Sequence, residues 1–193
     1  RDLHLSLRRQ RQMCIRDRSI PAYGSVTALD VTGSHVYVGV YDGTSWQEGK
    51  LFYSSDGGAT WAEVDFGQPA ETYIYSVFVD RTNPNEVWVG LHHIYNAPLD
   101  QQMFMTSDGG LTWQAIANYP QANEVLILDK SPSGVLYANN YRTTDGGEHW
   151  EIFFDPNKTD ASGTPADLAF DPFDEDTLYL ALQWGSGLVK STD

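Results

Sequence analysis

Aromatic side chains stand beside carboxylates and imidazoles in three segments that lie between predicted strands. The candidate binding residues in these segments are Tyr41, Asp42, Trp46 and Glu48, then His92, His93 and Tyr95, and finally Trp184. Aromatic rings stack on the apolar faces of sugars, while neighbouring polar groups hydrogen-bond the hydroxyls. This combination is therefore typical of a carbohydrate-binding surface. The alternative is that Trp46 and Trp184 simply cover strand edges.

Segments between predicted strands also contain carboxylates, which could support glycoside hydrolysis. An inverting mechanism needs two carboxyl groups about 6.5–9.5 Å apart. Four acids are candidates, namely Asp42, Glu48, Asp100 and Asp160. The sequence does not assign an acid or a base among them, so the catalytic residues remain unknown at this point.

The adjacent residues His92 and His93 are the strongest metal-ligand candidates, and we predict that they do not share an ion. Successive residues of a strand point to opposite faces, so the two imidazoles diverge. A calcium loop is disfavoured as well, because the D-G-G segments lack the further oxygen ligands and the closing Glu that such a loop needs. We therefore predict no metal and no cofactor.

A short motif recurs three times and begins a fourth time at the end of the chain. It reads SSDGGATW at 54–61, TSDGGLTW at 106–113, TTDGGEHW at 143–150 and STD at 191–193, with aspartate spacings of 52, 37 and 48 residues. The predicted structural residues are Ser54, Asp56, Gly58, Thr60, Trp61, Thr106, Asp108, Gly110, Thr112, Trp113, Thr143, Asp145, Gly147, Trp150, Ser191 and Asp193.

The physical chemistry of this motif is that of a hairpin tip. The aspartate can accept hydrogen bonds from backbone N–H groups of the turn, and the glycines supply a positive φ. The tryptophan starts the outgoing strand and can cover the turn. None of these roles requires a ligand, so we predict that the motif stabilises the fold.

The repeat resembles the Asp-box, or bacterial-neuraminidase repeat, with the third copy departing from the pattern at His149. Short alternating runs separated by turn residues fill the intervals between the boxes and predict strands. The predicted fold is an all-β propeller of four-stranded antiparallel blades with Asp-box hairpins, about 3.75 blades long. The predicted blades span residues 20–68, 69–118, 119–158 and 159–193, and the other blades of the same chain are expected partners.

The resemblance also implies where function lies. Ligands of Asp-box propellers bind on the side opposite the boxes, which is where the aromatic segments fall. We predict a non-catalytic module that binds a glycan or a protein there, in a secreted, periplasmic or cell-surface protein. The alternative is part of a xyloglucanase-like glycoside hydrolase, because the turns that start at Asp80 and Asp171 look like those of xyloglucanases. Sortilin-type receptors share the box.

Other relatives of the repeat fit less well. Sialidases clamp the substrate carboxylate with three arginines, and residues 20–193 contain only Arg81 and Arg142. Six of the twelve basic residues lie in the first eighteen positions, which leaves residues 19–193 with 6 basic and 24 acidic residues. This acidity argues against nucleic-acid binding.

The ends of the chain carry two further expectations. We interpret residues 1–19, which contain the only cysteine, as a non-native or disordered segment, and the whole sequence as an open-ended fragment. No run approaches the roughly 18 apolar residues of a membrane helix, so we predict no membrane insertion.

Overall fold

The computed structural model describes residues 20, 24–41, 49–69, 72–93, 101–120 and 124–192. These residues form fifteen strands and no helix. The strands of the first two sheets are β1 (Ser25–Thr32), β2 (His35–Tyr41), β3 (Gly49–Ser54), β4 (Ala62–Val64), β5 (Thr72–Val79), β6 (Val87–His93), β7 (Met103–Thr106) and β8 (Gln114–Ala115). Those of the other two are β9 (Ile127–Lys130), β10 (Leu136–Ala138), β11 (Tyr141–Thr143), β12 (Glu151–Ile152), β13 (Thr164–Asp171), β14 (Asp174–Gln183) and β15 (Leu188–Ser191).

The strands assemble into four small antiparallel sheets, each built from neighbours in sequence. The first three sheets have four strands in the orders β1–β4, β5–β8 and β9–β12, and the fourth has the three strands β13–β15. The sheets are arranged as the blades of a propeller, which confirms the predicted fold class. No helix capable of crossing a membrane occurs in the part of the chain that the structure describes.

Apolar cores between successive blades hold the arrangement together. Tyr37 and Leu51 of the first blade pack with Ile74 and Val89 of the second. A second core joins the second blade to the third and contains Trp88, Met103, Ile127 and Leu136. A third core joins the third blade to the fourth and contains Tyr137, Phe154, Leu168 and Leu180. Because the second and third sheets are covered by a neighbouring sheet on both faces, their strands β6 and β10 are almost continuously apolar and buried.

The Asp-box hairpins are closed by their own side chains. In the first box, Thr60 N and Thr60 Oγ1 donate to the two carboxylate oxygens of Asp56, at 2.8 and 2.7 Å. Ser54 Oγ donates to Asp56 at 2.8 Å and accepts from Gly58 N at 2.8 Å. The hydrogen bonds from Thr60, first from its backbone and then from its side chain, lower the pKa of Asp56 to about 2. The carboxylate therefore stays ionised as the acceptor of the turn.

Backbone hydrogen bonds fix the side of the propeller on which the boxes lie. Gly57 N donates to Ser34 O and Gly109 N donates to Asn85 O, both at 2.9 Å. The boxes thus lie beside the turns that join β1 to β2 and β5 to β6. The last residues of β2, β6 and β14, namely Tyr41, His93 and Gln183, lie at the opposite end of their sheets from the boxes.

Candidate functional site

Four rings and a carboxylate meet where the first three blades adjoin, and we call this group the aromatic ledge. It consists of Tyr41, Tyr73, Tyr75, His92 and Glu124. The ring centroids of Tyr41 and Tyr73 are 5.6 Å apart, and those of Tyr73 and His92 are 4.7 Å apart. The Tyr75 ring lies 5.9 Å from His92, and His92 Nε2 is 3.1 Å from Glu124 Oε1.

The register of the strands places the ledge on the side opposite the boxes. Tyr41 is the last residue of β2 and pairs with Gly49, the first residue of β3, whereas the box begins at Ser54, the last residue of β3. Tyr73 pairs with His92 near the same end of the second blade. Glu124 joins them because it forms an isolated bridge with His92.

Two tyrosines of β5 lie against one ring beside a β-bulge. Ile74 pairs with Leu91 and Ser76 pairs with Gly90, so Tyr75 is the extra residue of β5. Residues two positions apart on a strand point to the same face. Consequently Tyr73 and Tyr75 both contact His92 while Ile74 between them is fully buried.

The ledge has an apolar surface with polar groups at its edge. The three tyrosines are partly exposed, and the side chain of Glu124 is 49% exposed. Burial, followed by the negative charge of Glu124, raises the pKa of Tyr73. Burial and a hydrogen bond to Glu124 do the same for Tyr75. The hydroxyls therefore remain donors at neutral pH, and Glu124 supplies an acceptor.

The structure separates the residues predicted from the sequence. Tyr41 and His92 belong to the ledge, whereas His93 is 5% exposed and Trp184 is 92% exposed in the turn after β14. Asp160 is also exposed. The remaining candidates lie outside the described residues: Asp42, Trp46, Glu48, Tyr95, Asp100, the box residue Asp193, and the segment 1–19.

Sequence analysis missed Tyr75 and Glu124. Strand alternation predicts that residues 73 and 75 share a face, but no residue type indicates that this face meets His92 or that a bulge leaves Tyr75 unpaired. Glu124 lies 32 positions after His92 and reaches it only because the third blade packs on the second.

A separate cavity of about 710 Å³ lies on the box side, between the innermost strands of the four blades. Its two cations are already paired. Arg81 Nη2 is 2.7 Å from Asp30 Oδ1, and Lys130 Nζ is 2.6 Å from Asp80 Oδ2. Arg142, the other arginine of the propeller, pairs with Glu151 at 2.8 Å. Both arginines therefore make ion pairs within the fold.

The third box holds a small exposed cluster of possible metal ligands. Asp145, Glu148 and His149 each place one ligand atom within 4.8 Å of the others. His149 Nδ1 is 2.7 Å from Asp145 Oδ2, in the position that the threonine hydroxyl takes in the first two boxes. The His149 imidazole closes the hairpin through its hydrogen bond with Asp145. The absence of a metal remains a prediction.

Replacing His149 by threonine is expected to change the pH dependence of stability. The hydrogen bond and charge of Asp145 raise the pKa of His149, while bonds from His149 lower that of Asp145 to about 2. The protonated imidazole therefore stabilises the fold below its ordinary pKa of about 6.5, and this contribution is lost as pH rises through the raised value. Thermal unfolding should show that the melting temperature of the wild type, relative to that of His149→Thr, is higher at pH 5 than at pH 8. Equal differences at both pH values would contradict this assignment.

Comparison with known proteins agrees with the Asp-box repeat and the propeller fold. The BNR/Asp-box repeat family model matches residues 52–63. A xyloglucanase of Hypocrea jecorina is 27% identical over 184 residues, which cover 90% of this chain and 19% of that protein. A probable oligoxyloglucan-reducing end-specific xyloglucanase of Neosartorya fischeri is 34% identical over 85 residues, or 38% of this chain and 10% of that protein. The chain thus spans about a fifth or less of these relatives.

Solved structures support the fold. An ancestral GH74 enzyme superposes with a TM-score of 0.65 at 22% identity, over 86% of this chain and 25% of that one. YCF48 from Cyanidioschyzon merolae superposes with a TM-score of 0.54 at 17% identity, over 91% of this chain and 58% of that one. A similar blade architecture thus occurs both in a GH74 enzyme and in YCF48, so the fold alone does not determine the function. The sortilin-type resemblance stays a prediction.

Proposed function

Because this chain is an Asp-box β-propeller with xyloglucanases among its relatives, we propose that it is part of a glycoside hydrolase acting on xyloglucan. In this proposal the chain contributes a glycan-binding face on the side opposite the boxes. The observation that carries the proposal is the similarity to the Hypocrea jecorina xyloglucanase, which extends over 184 residues rather than over the box alone.

The chemistry of the aromatic ledge supports this proposal. Adjacent tilted rings present an apolar surface to the C–H faces of a pyranose, and Tyr73 makes contacts with both Tyr41 and His92. Glu124 and the protonated tyrosine hydroxyls can hydrogen-bond the equatorial hydroxyls around the ring. Xyloglucan is uncharged, so the acidity of the chain does not oppose its binding.

Replacing Tyr73 by leucine tests the ledge as a glycan subsite. Leucine retains most of the apolar volume but removes the stacking surface and the hydroxyl. We expect the Kd for xyloglucan oligosaccharides to rise about tenfold, which corresponds to a stacking contribution of about 1–1.5 kcal/mol. Isothermal titration and affinity electrophoresis in gels containing xyloglucan would measure it.

Leu111→Ala is the matched control because Leu111 is 86% exposed at the tip of the second box, on the opposite side of the propeller. Its affinity should equal that of the wild type. Unchanged binding by Tyr73→Leu, with the fold intact by circular dichroism, would remove the ledge from the binding face. Failure of the wild type to bind xyloglucan would overturn the proposed function itself.

A non-catalytic module that binds a glycan is the second candidate, and the ledge favours it because binding needs no catalytic carboxylate. A reducing-sugar assay of the complete protein on xyloglucan separates the two candidates. Release of reducing ends supports the hydrolase, whereas retention of the polymer without cleavage supports the module.

A further inference from the structure

A smaller cavity, of about 260 Å³, lies between the third and fourth blades. Its walls include Tyr137, Arg142 and Phe153 of the third blade and Leu180 and Val189 of the fourth. No carboxylate is among its described lining residues, whereas several aspartates line the larger cavity on the box side. Aromatic and aliphatic walls with one cation suit an aromatic ring.

Between the other blades, the tryptophan of an Asp box packs against an aromatic residue of the preceding blade. Between the first and second blades, the ring centroids of Trp113 and Phe66 are 5.6 Å apart. Between the second and third blades, those of Trp150 and Tyr119 are 4.9 Å apart, with the rings at 88°. Phe66 and Tyr119 each follow the outermost strand of their blade, and so does Phe153 at the cavity.

Strand register shows that the cavity is the equivalent place between the third and fourth blades. The residue just before each box pairs with an aromatic residue of the second strand of its blade, in the pairs Tyr53–Tyr37, Met105–Trp88 and Arg142–Tyr137. The first two pairs belong to the cores that hold Trp113 and Trp150, and the third pair lines the cavity. On its other wall, Val189 lies two residues before a box, as Phe104 and Tyr141 do in the second and third blades.

The Tyr37 hydroxyl shows that the glycines of the hairpin also fit this place. It donates to Gly109 O in the box of the following blade at 3.2 Å. A Cβ on Gly110, the second glycine of that box, would lie 3.4 Å from the same hydroxyl. Tyr137 is the equivalent residue at the cavity, and Ser191, where a box motif begins, also lines it.

We propose that this cavity is an acceptor site for an indole ring, namely the tryptophan side chain of an Asp-box hairpin. Arg142 takes the place that Tyr53 and Met105 have in the first two sites, and a guanidinium is attracted to the face of an indole. The cavity shares no residue with the aromatic ledge, so the inference is independent of xyloglucan binding.

Binding of 5-fluoroindole, measured from the broadening of its fluorine NMR signal, tests the cavity directly. Apolar cavities of about 150 Å³ bind benzene, and we expect a Kd of about 1 mM or lower for the indole. Val189→Trp places a ring in the cavity from β15 and should raise the Kd at least about tenfold. Leu188→Trp is the matched control and should keep the wild-type Kd, because Leu188 is 67% exposed on the opposite face of β15.

Appending a copy of residues 109–116 after Asp193 supplies the tryptophan in its hairpin. The reference is the same extension with alanine in place of tryptophan. We expect the tryptophan extension to have a melting temperature at least about 3 °C above that of the alanine extension, because it buries an indole between two blades. The tryptophan extension should also lose the binding of 5-fluoroindole, which the alanine extension should keep.

Three results would overturn the inference. One is a wild type that does not bind 5-fluoroindole. Another is an equal Kd for the wild type and Val189→Trp when circular dichroism shows both to be folded. The third is an equal melting temperature for the two extensions, which also provide the test if Val189→Trp does not fold. The binding of xyloglucan enters none of these measurements, so the proposed function stands or fails separately.

Discussion

Replacing Lys130 by methionine is expected to lower the free energy of unfolding by about 3 kcal/mol at pH 7. Lys130 Nζ lies 2.6 Å from Asp80 Oδ2 and 2.8 Å from Glu86 Oε1, and so joins the third blade to the second. The side chain of Asp80 is only 6% exposed. Methionine keeps the apolar stem but leaves this carboxylate buried without its cation.

The pKa of Asp80 shows how much the ammonium matters. Burial alone would raise it, yet the hydrogen bond from Lys130 and those from Thr82 and Asn83 outweigh burial and hold it at about 2. A depressed pKa stabilises the fold above the ordinary value of about 3.9, and this contribution is lost as pH falls through the folded value. The deficit of Lys130→Met should therefore be largest at neutral pH and shrink as pH falls below about 4.

Urea unfolding of wild type and variant at pH 7 and at about pH 3, between the ordinary and the folded pKa of Asp80, measures both the deficit and its pH dependence. Lys158→Met is the matched control, because Lys158 pairs with Asp155 at 3.4 Å and is 78% exposed. Exposed pairs contribute about 0–1 kcal/mol. Adding Asp80→Asn to Lys130→Met should recover part of the loss. A deficit below about 1 kcal/mol at pH 7 would mean that Asp80 is solvated despite its burial.

Local patterns made the blades and the hairpins predictable. The box residues act on one another within eight positions, as Asp108 shows by bonding Thr106 and Thr112. The apolar residues of β2 and β6 form short alternating or continuous runs, and each run is bounded by turn-forming residues that can be recognised in the sequence. Such signals need no knowledge of distant contacts, and repetition at similar spacing reinforces them.

The candidate site was less predictable because it depends on contacts between blades. Tyr75 lies beside His92 as the unpaired residue of a bulge, and Glu124 reaches His92 from the next blade. Neither event leaves a local trace in residue types. The positive φ of Trp184 is hidden for the same reason, since tryptophan is among the last residues expected there. The sequence predicted that Tyr41, His92 and Trp184 lie on the side opposite the boxes, where the structure also has them, but not how residues on that side are assembled.

Gly90 lies at a close contact between the second and third blades. A Cβ on Gly90 would overlap the carbonyl oxygen of Val125 and lie 2.5 Å from Ser76 Oγ. That hydroxyl donates to Val125 O at 2.7 Å and accepts from Ile127 N at 2.9 Å, and both bonds are buried. One serine thus satisfies two backbone groups of the neighbouring blade, and it can do so only because Gly90 has no side chain.

Gly90→Ala is therefore expected to destabilise the fold by about 3 kcal/mol or more. Overpacking a filled site costs about 1–3 kcal/mol, and separating the blades leaves buried polar groups unpaired at about 1–3 kcal/mol each. The backbone of Val125 cannot rotate away as a flexible side chain would, so the clash must move a whole strand. Gly33→Asn is the control, because Gly33 has a φ of +58° that asparagine tolerates and nothing within 4 Å of its Cβ. If urea unfolding gave both variants the stability of the wild type, the blades would not be in contact at Gly90, and the path by which Glu124 reaches His92 would need another explanation.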